Sequence, residues 1–396
     1  MARDRCSFCD KPRSEVDHLV AGPRGVSICS ECVGVAHEVV RASQRPTSSD
    51  RVLTGIGLLV TNDRRRSGLL GLVEGAAVAI RLGKVTWVGE ERHLPARYRE
   101  LPELRCGGRM VIPGFVDAAT YLTGSGAEGR PRPEVAATET TDRAARSLAR
   151  GTTTVDIAAG GSGDPVTDTA LLAVARVVGE RLPSRVGVTW RTASEERATE
   201  VTPGMVETAA RLASQVEVSG LVAPEVAAAM RRAHLRIRSV GPPSGSVAGG
   251  LDVDVVGRPR GATPEDLAAL AEAEIPVILT VADLVAGRPW PGRQIVDAGI
   301  PLALASGSDP EQVEVAGLGL AVALAVAFAG LGVEEALWSV TRGGALALGA
   351  PELGWVGPGA AGDLVVLEAD TLGDLVRRPD GDTVFQVVAG GDVIPI

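Results

Sequence analysis

The sequence predicts an α/β protein: a small zinc-binding domain, then a (β/α)8, TIM-like barrel whose two flanks combine into a composite β-sandwich. Three observations predict it. Two C-x-x-C pairs fall within the first 32 residues. From about residue 113, short apolar runs alternate repeatedly with Ala-rich stretches of helical length, the pattern of a parallel sheet with crossover helices. Hairpin patterns recur on both sides of that array. A chain of 396 residues with 45% hydrophobic content has the length for a barrel with additions and the apolar mass for a large core.

The first element is metallic. Cys6-Ser-Phe-Cys9 and Cys29-Ser-Glu-Cys32 stand nineteen residues apart, the spacing at which two knuckles supply four thiolates to one tetrahedral zinc. Using all four positions leaves none for water, so Cys6, Cys9, Cys29 and Cys32 predict a structural Zn2+, one per chain. A redox dithiol would need only one such pair and a thioredoxin-like surround. A segment this short cannot bury enough apolar surface, so the metal supplies much of its folding free energy. This domain is placed at residues 1–45, and the polar, Ser-rich stretch that follows gives a linker at 46–51.

From Val52 the pattern changes. Ala77–Ile80 and Val85–Gly89 read as strands across a glycine turn, within a first part of the sandwich at 52–112. The barrel is placed at 113–362. Its strands are expected at Thr152–Ile157, Arg185–Thr189, Glu217–Val222, Leu235–Val240, Pro276–Leu279 and Pro301–Ala305. Helices are expected at Thr169–Arg181, Pro203–Gln215, Pro224–Ala233 and Pro264–Ala273. Asp363–Leu367 and Val384–Ile394 read as strands of the second sandwich part, 363–396.

Composition excludes several functions. A net charge of −9 and 3% aromatics argue against nucleic-acid binding. Only Lys11 and Lys84 could serve Schiff-base or carbamate chemistry. Residues 1–10 carry charges without an apolar core, so no secretory leader and a cytoplasmic protein are expected. Val315–Val333 is uncharged and long enough to span a bilayer. It is rich in Ala and Gly and lacks basic or aromatic flanks, so it reads as a buried helix and no membrane partner is expected.

Residues 6–40 (CSFCDKPRSEVDHLVAGPRGVSICSECVGVAHEVV) resemble the zinc-binding domain of the ClpX unfoldase family, including the AGP turn at 21–23. That resemblance implies a dimerising module that recruits adaptors or clients, hence a homodimer or higher oligomer and a partner from the Clp system. No G-x-x-x-x-G-K-[ST] loop is present, so ATP-driven unfolding is excluded. His18 and His37 are expected to be ordinary surface or packing residues.

A second resemblance covers nearly all of residues 52–396. PGFVDAATYL (113–122), GTTTVD (151–156), IVDAGIPLALASGSDP (295–310), the run Ser339–Gly349 and GPGAAGDLVVLEAD (357–370) resemble the metal-dependent amidohydrolase superfamily. Within it, imidazolonepropionase, the cyclic-amide hydrolase of histidine breakdown, is most similar. The resemblance implies a barrel metal that activates water, held first by an H-x-H pair. Those two positions here are Ala119 and Tyr121. Arg238 stands near a further histidine position, Val255 and Val256 at the next, and Gly307 where a strand-end aspartate is implied, with Asp309 two residues on.

Outside the finger only His93 and His234 remain, on distant elements. Asp117, Thr120, Asp156, Asp252, Asp254, Ser306, Ser308 and Asp309 are the polar candidates for the barrel mouth. Asp117 and Asp156 read most simply as strand-end caps or surface pairs. Gly160, Gly161 and Gly163 form a loop with no following helix to bind an anion. The expectation is a catalytically inactive amidohydrolase-like protein, with no catalytic residue and no barrel metal, acting as a binding, scaffold or regulatory protein. The alternative is a metal-dependent hydrolase of cyclic-amide C–N bonds with a rebuilt, non-histidine site, which needs three of Asp117, Asp156, Asp254 and Asp309 to converge.

Overall fold

The computed structural model describes residues 5–33, 49–124, 133–192, 200–220, 222–241, 252–259, 261–378 and 383–395. His37, residues 34–45 of the finger and residues 46–48 of the linker lie outside them. The chain forms two units, Met1–Ser48 and Ser49–Ile396.

In the small unit, β1 (Leu19–Ala21) and β2 (Ser27–Cys29) pair antiparallel around the turn Pro23–Gly25. Gly25 sits at φ 76°, a left-handed conformation that glycine adopts without a Cβ penalty.

The larger unit opens with β3 (Arg51–Leu59), β4 (Val73–Arg81) and β5 (Lys84–Glu90), an antiparallel meander. Leu82 and Gly83 both have positive φ at the β4–β5 turn, as a two-residue hairpin loop requires. β6 (Glu103–Arg105) and β7 (Met110–Pro113) run parallel to β3. β7 also pairs with β16 (Leu364–Leu367), which continues through β17 (Val384–Ala389) to β18 (Asp392–Ile394). Both flanks of the barrel therefore meet in one continuous mixed sheet, the joining of the two flanks that was expected. Leu53, Ile56, Val78, Ile80, Val111, Leu364 and Val366 fill its core.

Between the flanks lies the barrel: β8 (Phe115–Thr120), β9 (Thr152–Gly160), β10 (Arg185–Arg191), β11 (Gln215–Ser219), β12 (Arg236–Val240), β13 (Val255–Gly257), β14 (Val277–Thr280) and β15 (Leu302–Ala305). Each pairs parallel with the next. The seam from β15 back to β8 is drawn shut by Gly307 N–H on the Ala119 carbonyl (3.0 Å) and Tyr121 N–H on the Ser308 carbonyl (2.8 Å).

Several surrounding helices open with proline, whose missing N–H costs nothing in the first turn. Pro165–Arg181 starts behind Asp164, Pro203–Ala209 behind Thr202 and Pro264–Glu272 behind Thr263, and each of these side chains caps backbone N–H groups. The helix expected at 203–215 ends at Ala209, because Gln215 already belongs to β11. The uncharged run 315–333 contains a helix only over Gly319–Phe328. Ala321, Val322 and Ala325 are buried, Phe328 is exposed, and no described helix is long and apolar enough to cross a membrane.

Candidate functional site

Two places concentrate chemistry. In the small unit the sulfurs of Cys6, Cys9, Cys29 and Cys32 lie within 4.8 Å of one another, the sole such grouping of His, Cys, Asp and Glu side chains among the described residues. The β1–β2 hairpin delivers Cys29, and the backbone N–H groups of Phe8 and Cys29 point at the Cys6 sulfur (3.5 and 3.3 Å), as that of Cys32 does at the Cys29 sulfur (3.4 Å). Donors aimed at sulfur favour thiolates. Burial raises the Cys6 thiol, but these donors outweigh it and bring it down to about 6, while neighbouring sulfurs push Cys32 up to about 12. Four clustered sulfurs with no fifth donor fit a tetrahedral, closed zinc. His18 is exposed on the same unit.

The second place is the interior of the barrel toward the carboxyl ends of its strands. Arg238 of β12 lies directly across from Glu217 of β11 in register, so both side chains share the inward face. The Arg238 guanidinium is 1% exposed and donates to Asp156 Oδ2 of β9 (2.7 Å), Glu217 Oε2 (3.3 Å) and the Ala118 carbonyl of β8 (2.7 Å). Thr189 of β10 donates its hydroxyl to both Asp156 oxygens (2.9 and 2.8 Å). The neighbouring Gly187 makes room: a Cβ there would stand 2.8 Å from Asp156 Oδ1.

The network continues outward. The Tyr121 hydroxyl donates to Glu217 (3.1 Å) and accepts from Arg258 (3.2 Å), and the guanidiniums of Arg191 and Arg258 lie over its ring at 5.2 and 5.3 Å. Asp283 receives Arg258 (3.2 Å), Arg288 (2.5 Å) and the Thr280 hydroxyl (2.7 Å). Burial and the Glu217 charge raise the Tyr121 phenol, which stays protonated. Arg238 stays protonated because Asp156 and Glu217 outweigh its burial. Burial raises Asp156, with Arg238 and Thr189 opposing.

The expected site residues separate. Asp117 is buried, accepts Ser306 N–H (2.9 Å) across the barrel seam, and is pushed up to about 6 by burial, against the opposing Ser306 bonds. Asp156 is fully buried mid-strand, which corrects its reading as a strand-end cap or surface pair; the force that took it inside is its pairing with Arg238. Thr120 donates to the Asp156 carbonyl (2.8 Å). Ser306 and Ser308 are tied together, Ser308 N–H to Ser306 Oγ (3.0 Å), and Asp309 turns to Gln312 and the Glu311 N–H. Asp254 precedes β13 and holds Ile237 N–H and Arg231, at the amino ends of the strands, while Asp252 pairs with Arg231. The four aspartates therefore do not gather at one point among the described residues.

Ala119 and Val255 belong to an apolar plug with Ala118, Ile278, Ala303 and Ala305, and Val256 packs into the main core. His93 is exposed beside Glu90, and His234 lies in a left-handed turn ahead of β12. The loop at Gly160–Gly163 does lead into a helix, but Asp164 already fills that helix's amino end. Sequence reasoning missed Glu217, Thr189, Arg191, Arg258 and Asp283. The available signal was a lone acid within V-E-V and a lone base within I-R-S, each interrupting a buried strand.

The ClpX C4-type zinc finger family matches residues 4–42. The imidazolonepropionase of Streptomyces coelicolor is 30% identical over 378 residues, covering 84% of this chain and 96% of that protein. That of Salinispora arenicola is 28% identical, covering 87% and 98%. Among solved structures, a triazine hydrolase variant superposes with a TM-score of 0.71 at 17% identity, covering 87% of this chain and 94% of that one. The zinc complex of the atrazine chlorohydrolase from Arthrobacter aurescens gives 0.69 at 17%, with the same coverage. At these identities the two structures speak for the fold alone.

Proposed function

The chain belongs to the imidazolonepropionase family and carries a ClpX-type C4 zinc finger at its amino end, and from that membership we propose that it is a non-hydrolytic member acting as a binding or scaffold protein. The observation that carries the reading is the guanidinium of Arg238, buried between Asp156 and Glu217 inside the barrel. The barrel metal that the resemblance to metal-dependent amidohydrolases implies does not fit the residues present. Ala119 offers no lone pair, Tyr121 is a protonated phenol engaged with Glu217, and a fixed cation already takes the two carboxylates a metal would want. Function resides in sites and not in folds, so the barrel's descent does not carry the chemistry with it.

The finger has a different task. Its closed four-sulfur site leaves zinc no substrate position, so the metal holds a recruiting surface together. We assign it self-association and capture of a protein partner, such as a Clp component or client, in the cytoplasm.

A second reading has its own support. The relatives' name is that of a hydrolase, and Asp117 is a buried carboxyl at the barrel seam pushed up to about 6, a value suited to a general base. Turnover of imidazolone propionate by the full-length chain decides between them. No hydrolysis above the buffer rate is expected with or without added zinc, and turnover that Asp117→Asn abolishes would establish the hydrolase instead.

A further inference from the structure

We infer that the barrel interior is a cation site whose resident cation is the guanidinium of Arg238. The inference deepens the proposed metal-independent barrel and rests on it. In this network Arg238 lies against Asp156 and Glu217, Arg258 and Arg288 lie against Asp283, and Arg191 lies over the Tyr121 ring. Asp156 and Glu217 stand on strands β9 and β11 and reach the same guanidinium from two sides, at its Nη2 and Nη1 atoms.

Both carboxylates are nearly inaccessible to water, so neither could be there as an anion without a cation between them. Among the described residues the carbonyl oxygen of Ala118 is the third acceptor of this guanidinium. Oxygen atoms from three strands thus surround a single positive centre. Oxygen donors of that kind, two carboxylates and a carbonyl, are the set a hard divalent cation takes. Shortening Arg238 would therefore leave a vacant, doubly negative, oxygen-lined site rather than an ordinary cavity.

Thermal unfolding of the full-length chain tests this. Arg238→Met is expected to lower the Tm by roughly 5–15 °C, since two buried carboxylates lose their counter-charge. Adding Asp156→Asn and Glu217→Gln to Arg238→Met should recover most of that loss, because no buried carboxylate is then left without a counter-charge. The Tm of Arg238→Ala should rise with millimolar Mn2+, and that of the unaltered chain should not. A triple variant no more stable than Arg238→Met would mean that Arg238 works by packing. An Arg238→Ala Tm indifferent to Mn2+ would overturn the cation site. Hydrolytic turnover by the unaltered chain would sink the proposed function while leaving these Tm differences to be read on their own.

Discussion

Asp117 is the residue whose burial has the clearest pH signature. Its carboxyl is pushed from 3.8 up to about 6, first by desolvation and also by nearby Asp156, against the Ser306 hydrogen bonds. The folded chain therefore holds this proton more tightly than the unfolded chain does. Stability falls as pH rises between about 4 and 6, and above that range the ionised group costs about 3 kcal/mol. Asp117→Asn keeps an oxygen to accept the Ser306 N–H and removes the charge. Its urea midpoint should exceed that of the unaltered chain at pH 8 and converge with it near pH 4. Parallel pH profiles for the two proteins would count against the assignment. Such residues were half legible: an aspartate inside FVDAAT is visible as an anomaly, but only the seam reveals that it braces β8 against β15. Glu217 was less legible still, because V-E-V has the alternation of a half-exposed strand and its inward face is set by Arg238 on the next strand.

At the scale of elements, local signals were good where chemistry is local. Proline at the first helical position places the starts of the helices at Pro203 and Pro264, and glycine with positive φ places the β4–β5 hairpin, whereas the helix expected from Thr169 starts earlier, at Pro165 behind its Asp164 cap. Ends were less legible, as at Ala209, because a helix there stops where the next strand must begin. The pairing of β7 with β16, across some 250 residues of sequence, leaves no local trace, and only the recurrence of hairpin patterns on both sides of the barrel made the joining of the flanks legible. The strongest cap is Asp164, which accepts from Val166 N–H (3.4 Å), Thr167 N–H (3.1 Å) and the Thr167 hydroxyl (2.6 Å). Asp164→Ala should cost about 1–2 kcal/mol by denaturant unfolding, and a Ser at 164 should recover about half. A loss below a few tenths of a kcal/mol would show that Pro165 alone starts this helix.

For the whole molecule, the two units divide the work of stability between different forces. The larger one has an apolar core around a barrel and a buried network of paired charges. The smaller one buries few apolar side chains, with Cys6 and Cys29 its buried hydrophobic residues among those described, so metal coordination must do there what packing does elsewhere. Removing one sulfur should therefore have a local effect. Cys29→Ser is expected to take bound zinc from one per chain to near zero by elemental analysis, since all four sulfurs belong to one site. The main thermal transition, which reports residues 49–396, should keep its midpoint. If self-association belongs to the finger, the same variant should sediment as a monomer where the unaltered chain does not. Zinc retained by Cys29→Ser would place a second metal in the chain, and the barrel would be the first place to look for it.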